Sequence, residues 1–110
     1  MQYVTHTTGP YTILDLQGDV DLSRSPDARR QILACLESGQ HLLIDLSAVT
    51  YIDSSGVASL VEGYQTARKK SLRFGLVGVS AAAMGVLQLA RLDKVFPIHG
   101  SAAERIAADG

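Results

Sequence analysis

The chain has 110 residues, 46% of them hydrophobic and 19% charged, with a formal net charge of −1. That size fits one domain, residues 1–110, with a real but modest core, and the balance is globular rather than disordered or fibrous. A charge near zero gives no electrostatic footprint for nucleic acid or an anionic membrane surface, and no apolar run approaches the roughly 18 to 20 residues of a membrane span.

In chain order, Met1-Gln2-Tyr3-Val4-Thr5 has neither the basic start nor the apolar run of a signal peptide, so a cytoplasmic protein is expected. Tyr3–Thr7 and Tyr11–Leu16 are rich in β-formers and flank Thr8-Gly9-Pro10, which predicts an opening hairpin. Gly18-Asp19-Val20-Asp21-Leu22 leads to Ser23 and Ser25, and Pro26 suits a first helical position. Ala28, Ile32, Leu33 and Leu36 give that helix a buried side, and Gly39 ends it. The lone Cys35 falls on it as a packing residue; no internal disulfide is open to it.

Leu42–Leu46 is a short apolar run that reads as the central strand. After Asp53-Ser54-Ser55-Gly56 an amphipathic helix begins, with Val57, Leu60, Val61 and Tyr64 on one stripe. It continues into Arg68-Lys69-Lys70, where cations complement a helix C-terminus. Leu72–Val79 predicts a further strand, Ser80 a cap for a helix over Ala81–Ala90, and Lys94–Ile98 a last strand at an edge, because Pro97 cannot serve an interior ladder. Ser101-Ala102-Ala103-Glu104 has the capping-box form and opens a terminal helix. Strands alternating with helices argue an α/β sheet carrying helices, with no linker or repeat to divide it.

Enzymatic chemistry finds little support. His6, His41 and His99 are scattered without metal-site spacing or a serine–histidine pairing. No Gly-x-Ser-x-Gly elbow surrounds Ser54 or Ser55, and neither glycine-rich phosphate-loop pattern occurs. No catalytic residue, metal or cofactor is expected.

The strand–Asp-Ser-Ser-Gly–helix junction is the informative feature. Ser54 or Ser55 falls at or beside a helix N-cap, where a side-chain oxygen accepts from an unpaired N–H and the dipole favours negative charge. Serine and aspartate begin many helices, so capping alone would explain much of the pattern. Gly56, within the first turn, costs about 0.5 to 1 kcal/mol relative to alanine and leaves the backbone open to close approach. Such a site suits a phosphate, as ligand or as covalent modification.

The run Ile44-Asp45-Leu46-Ser47-Ala48-Val49-Thr50-Tyr51-Ile52-Asp53-Ser54-Ser55-Gly56-Val57 resembles the signature of STAS domains, those of sulphate transporters and anti-sigma factor antagonists. Gly18-Asp19-Val20-Asp21 resembles the family's glycine–acidic–apolar–aspartate element. Leu76–Ser80, Val86–Leu89 and Leu92–Phe96 resemble its closing strand–helix–strand, so the likeness covers nearly the whole chain. It implies a mixed sheet of about five strands with about four helices packed mainly on one face.

For a stand-alone member the resemblance implies an anti-anti-sigma factor. In such systems a serine kinase that is also the anti-sigma factor phosphorylates the antagonist, whose unphosphorylated form binds the kinase and frees the sigma factor. A PP2C-type phosphatase resets the switch. By position the phosphoacceptor is Ser54, with Ser55 its neighbour able to cap the helix, Asp53 shaping the site, Gly56 completing the motif and Asp21 the family acidic residue nearby. Ala58, Ser59 and Glu62, off the apolar stripe, are the expected partner contacts. No nucleic acid and no membrane insertion are implied.

Two departures stand out. Lys69-Lys70-Ser71-Leu72 occupies a turn where relatives commonly carry glycine, and the helix over Ala81–Ala90 is apolar nearly all round. A homodimer or larger assembly could cover such a helix. A STAS subunit that binds the ATPase of a phospholipid-trafficking ABC transporter shares the same junction and is the alternative; the full Asp-Ser-Ser-Gly favours the sigma switch. A small-anion sensor at the same helix start is the third reading.

Overall fold

The computed structural model describes residues 3–110; Met1 and Gln2, the first residues of the expected domain, lie outside them. Five strands, β1 (Val4–Thr8), β2 (Tyr11–Val20), β3 (His41–Ile52), β4 (Phe74–Val77) and β5 (Ile98–His99), lie side by side in sequence order. Only the β1–β2 hairpin is antiparallel; every later pairing is parallel, as crossover helices require. The helices are α1 (Ser25–Glu37), α2 (Ser54–Lys69), α3 (Ala81–Leu89) and α4 (Ala102–Asp109). The mixed sheet, with helices mainly on one face, is as the sequence led us to expect.

Period-two alternation explains the layering. Leu14, Leu16, Leu42, Ile44 and Leu46 point to one face, where Ala28, Ile32 and Leu36 of α1, Leu60 of α2 and Leu87 of α3 meet them in one buried cluster. Tyr11, Ile13, Leu43 and Val77 point to the other, covered by Ala102 and Ile106 of α4. The α4 helix is fastened there by Arg105, which is buried, donates to Phe74 O at 2.9 Å and to Asp109 at 3.1 Å, and lies over the Tyr11 ring. Ser101 caps α4 as its capping box predicts, while Glu104 reaches back to the Gly100 N–H, one residue before the cap.

Several element boundaries differ from the sequence reading, β2 among them, which runs to Val20 rather than Leu16. The central strand runs to Ile52 rather than Leu46, and the next strand is only Phe74–Val77. The expected strand over Lys94–Ile98 is instead a turn, with the Val95 and Phe96 amides donating to Leu92 O, before a two-residue strand. Phe96 enters the core against Tyr64 and Phe74, and that packing outweighs the β-propensity of its neighbours. β5 is an edge strand, as Pro97 suggested.

The extra length of β3 positions the site. β4 pairs with it only over Leu42–Asp45, whereas β2 follows it to Ile52. Two register shifts, between Asp15 and Gln17 and between Gly18 and Asp19, each place an extra β3 residue opposite β2. At the second, Gly18 takes a φ of 69°, a conformation glycine adopts without steric cost. The carboxyl ends of two adjacent parallel strands therefore emerge together, with Val20 beside Ile52.

Candidate functional site

Asp21 leaves the end of β2, and Asp53 leaves the end of β3. The two carboxylates organise everything that follows. Asp21 Oδ1 accepts from Ser23 N at 3.1 Å, Ser23 Oγ at 2.7 Å and Arg24 N at 3.2 Å, and Asp21 O takes the Arg24 and Ser25 amides. This closes the turn that opens α1, whose N-cap Arg24 supplies no side-chain cap of its own. Pro26 is therefore the second helical residue rather than the first.

Asp53, not a serine, is the N-cap of α2. Its Oδ1 accepts from Ser55 N at 2.9 Å, Ser55 Oγ at 2.5 Å and Gly56 N at 3.2 Å, and its Oδ2 accepts from Leu22 N at 3.1 Å across the strand ends. The expectation that Ser55 caps the helix is corrected here: its hydroxyl donates to the cap instead of serving as one. Hydrogen bonding, led by the Ser55 hydroxyl, holds the Asp53 carboxyl below its ordinary range, and the Ser23 hydroxyl does the same for Asp21. Both carboxylates are fixed, charged acceptors at neutral pH.

Ser54, by contrast, is exposed in the first turn, and among the described residues its hydroxyl has no hydrogen-bond partner. The Asp-Ser-Ser sequence thus yields one hydroxyl committed to a carboxylate and one free at the positive end of a helix dipole. Gly56 serves the junction differently from its expected role. A Cβ there would stand 2.6 Å from Val20 O and 2.7 Å from an Ile52 side-chain carbon, so the close approach it permits is by the chain's own strands.

Two grooves leave the site along α2. One, of about 660 Å³, runs from Ser54 between α2 and α3 and is walled chiefly by Val57, Ala58, Val61, Val86 and Leu89. The other lies between α1 and α2, beside Ser55, Ala58 and Glu62. Of the three expected contacts, Ala58 is exposed and lines both grooves, and Glu62 lines both while paired with Arg29. Ser59 also lines the groove between α1 and α2, although little of it is accessible. It is 6% exposed, and its hydroxyl is turned to the backbone oxygens of Ser55 and Ser25 where α1 crosses α2. Its position on the α1-facing side of α2 buries it.

Sequence reasoning missed Leu22, 75% exposed beside the site, and the contribution of Val86 and Leu89 to the groove. A lone leucine among Asp21, Ser23 and Arg24 was the available signal for the first. The apolar run of α3 flagged the second, and Leu89 is 89% exposed. Among the described residues, no group of three or more potential ligands could hold a metal ion, and no helix is long and apolar enough to cross a membrane.

A model of the STAS domain family matches residues 2–105. An anti-sigma factor antagonist from Mycobacterium paratuberculosis superposes with a TM-score of 0.87 at 26% identity, covering 97% of this chain and 92% of that one. An anti-sigma-factor antagonist (STAS) domain protein from Planctomyces limnophilus gives 0.85 at 22% identity, over 98% and 97%. The phosphorylated form of the Bacillus cell fate determinant SpoIIAA gives 0.74 at 18% identity, over 98% and 99%. The last two likenesses are of fold.

Proposed function

The chain belongs to the STAS domain family, and from that premise we propose that it is an anti-sigma factor antagonist switched by phosphorylation of Ser54. The unphosphorylated form binds an anti-sigma serine kinase and releases a sigma factor; a PP2C-type phosphatase restores it. The chain itself supplies a charge-read binding face, and the chemistry belongs to its partners.

The observation that carries this reading is the unequal state of the two serines. Ser55 Oγ is spent on Asp53, whereas Ser54 Oγ is free, exposed and at the mouth of an apolar groove. A kinase needs an accessible hydroxyl, and only Ser54 of the pair offers one. Phosphorylation adds about −1.5 to −2 charges. The helix dipole offsets part of this, typically about 0.3 to 1 kcal/mol. Asp53 opposes it, already ionised and saturated with donors. A partner docking over the helix start would have to desolvate a dianion beside that carboxylate. Each 1.4 kcal/mol or so of that cost weakens binding tenfold.

The test is affinity capture from native lysate on wild-type, Ser54→Ala and Ser54→Asp baits, followed by purification of the captured protein and a phosphorylation assay. A serine kinase held by wild type and Ser54→Ala, released by Ser54→Asp, and phosphorylating Ser54 alone is the expected result. Equal affinity for Ser54→Ala and Ser54→Asp would refute the charge switch. Capture of a transporter ATPase by all three baits would assign the chain to lipid transport and leave Ser54 a first-turn residue.

A further inference from the structure

Leu22 is 75% exposed, yet its backbone is held from two sides. Its N–H donates to Asp53 Oδ2, and the residues after it are tied to Asp21 through the Ser23 and Arg24 amides. Exposed apolar side chains are common on protein surfaces, but this one stands on a pinned backbone. It offers buried area to a partner while losing little conformational freedom on binding, the quality that marks interface anchors. Its backbone is joined to the α2 start through Asp53, the residue directly before Ser54 in the chain.

Asp53 thus divides its two oxygens between two tasks. Oδ1 serves the α2 start through Ser55 and Gly56, and Oδ2 holds the loop that bears Leu22. A dianion on Ser54 acts on both. It competes for the same first-turn amides, and it repels the carboxylate that shares them. We propose that Leu22 is the apolar anchor of the partner-binding face and that Asp53 is the positioning residue coupling its presentation to the charge on Ser54. Phosphorylation then weakens binding twice, by desolvation at Ser54 and by loosening the anchor. The partner's matching feature is an apolar pocket beside the groove that receives the Ser54 hydroxyl. This deepens the partner-switch reading and rests on it for the partner, though not for the coupling within the chain.

Asp53→Asn separates the two tasks. Asparagine caps helices about as well as aspartate, so one carbonyl oxygen can keep the α2 start. The other position becomes an NH2, which cannot accept from Leu22 N. In isotope-labelled protein, the Leu22 amide is expected to exchange about tenfold faster in Asp53→Asn and in Ser54→Asp than in wild type or Ser54→Ala, with the core amides unchanged. Against the kinase purified as above, Leu22→Ala is expected to bind about tenfold more weakly, the size of a hot-spot truncation, with Leu22→Met restoring binding. Combined with Asp53→Asn, Leu22→Ala should cost less than the sum of the two, because the loosened anchor has less to lose.

Wild-type exchange at Leu22 in Ser54→Asp would overturn the coupling, whatever Asp53→Asn shows. Wild-type kinase affinity in Leu22→Ala would overturn the anchor. If the exchange results hold but no kinase binds wild type, the coupling stands and the partner-switch reading fails.

Discussion

Arg29 and Glu62 clasp α1 to α2 through a two-pronged ion pair, Nε to Oε1 at 2.6 Å and the terminal nitrogen to Oε2 at 2.8 Å. Each partner raises the other's preference for its charged form, so Arg29 titrates above and Glu62 below their ordinary ranges. Both side chains are substantially exposed, at 53% and 41%, and water screens such pairs strongly.

Glu62→Gln is therefore expected to leave the melting temperature within a few degrees of wild type. The same substitution is expected to weaken partner binding, because Glu62 lines both grooves beside Ser54. Differential scanning calorimetry and binding to the purified kinase check the two halves. A large loss of stability would show that the clasp, rather than the groove, is what Glu62 serves.

Helix propensity and packing make opposite predictions at Gly56, and packing should win. Alanine would gain up to about 1 kcal/mol by propensity alone. A Cβ 2.6 Å from Val20 O must instead push α2 away from the strand ends, and such overpacking typically costs about 1 to 3 kcal/mol. Gly85 in α3 is the matched control, since nothing lies within 4 Å of a Cβ there. Urea denaturation should show Gly56→Ala destabilised and Gly85→Ala stabilised by about 0.5 to 1 kcal/mol.

Ser71 and Arg91 occupy left-handed backbone, with φ of 57° and 59°, just beyond α2 and α3. Non-glycine residues pay about 1 to 2 kcal/mol in that region, and glycine's extra freedom in the unfolded chain returns part of the difference. Ser71→Gly should raise the urea midpoint by a net amount of up to about 1 kcal/mol, with the slope unchanged. The lysine-rich turn after α2 therefore still takes the left-handed form that glycine favours, with serine bearing the strain.

The pH dependence follows from the depressed carboxylates. Asp53 and Asp21 titrate lower in the folded chain than in the unfolded one, where aspartate sits near about 3.9. The unfolded state therefore binds protons first on acidification. Their stabilising contribution is complete above the unfolded value and is lost as pH falls through the folded values. Stability should be level near neutrality and decline below about pH 4. Asp53→Asn should flatten that acid limb, read from urea midpoints across the pH range. An unchanged limb would mean that other carboxylates, Asp109 among them, dominate it.

The fold was legible because its signals are local. The β-rich run of β2 beside its turn, the stripe on α2 and the capping box at Ser101 each depend on residues close together in sequence. The length of β3 was not legible, because Ser47, Ala48 and Thr50 break the apolar run that marks a strand, while pairing of Ala48, Val49, Tyr51 and Ile52 with β2 carries the strand past them. The site was legible as a junction, but its division of labour was not. Which residue capped the helix depended on the reach of Asp53, and the burial of Ser59 depended on the crossing of α1. The pinning of Leu22 spans thirty-one residues, a distance at which no sequence periodicity speaks.

Beyond Asp45 the ladder narrows to two strands, and the Asp53-Ser54 junction sits at the tip of that narrow extension. Its surroundings there are unequal: Val49 and Ile52 point into the core, while Ser47, Ala48, Thr50 and Tyr51 face outward. In such a finger the residues open to contact are set apart from those that hold the fold. Substitutions along its outer face meet solvent rather than core, while the broad base of the sheet, where all five strands pair, carries the domain's integrity.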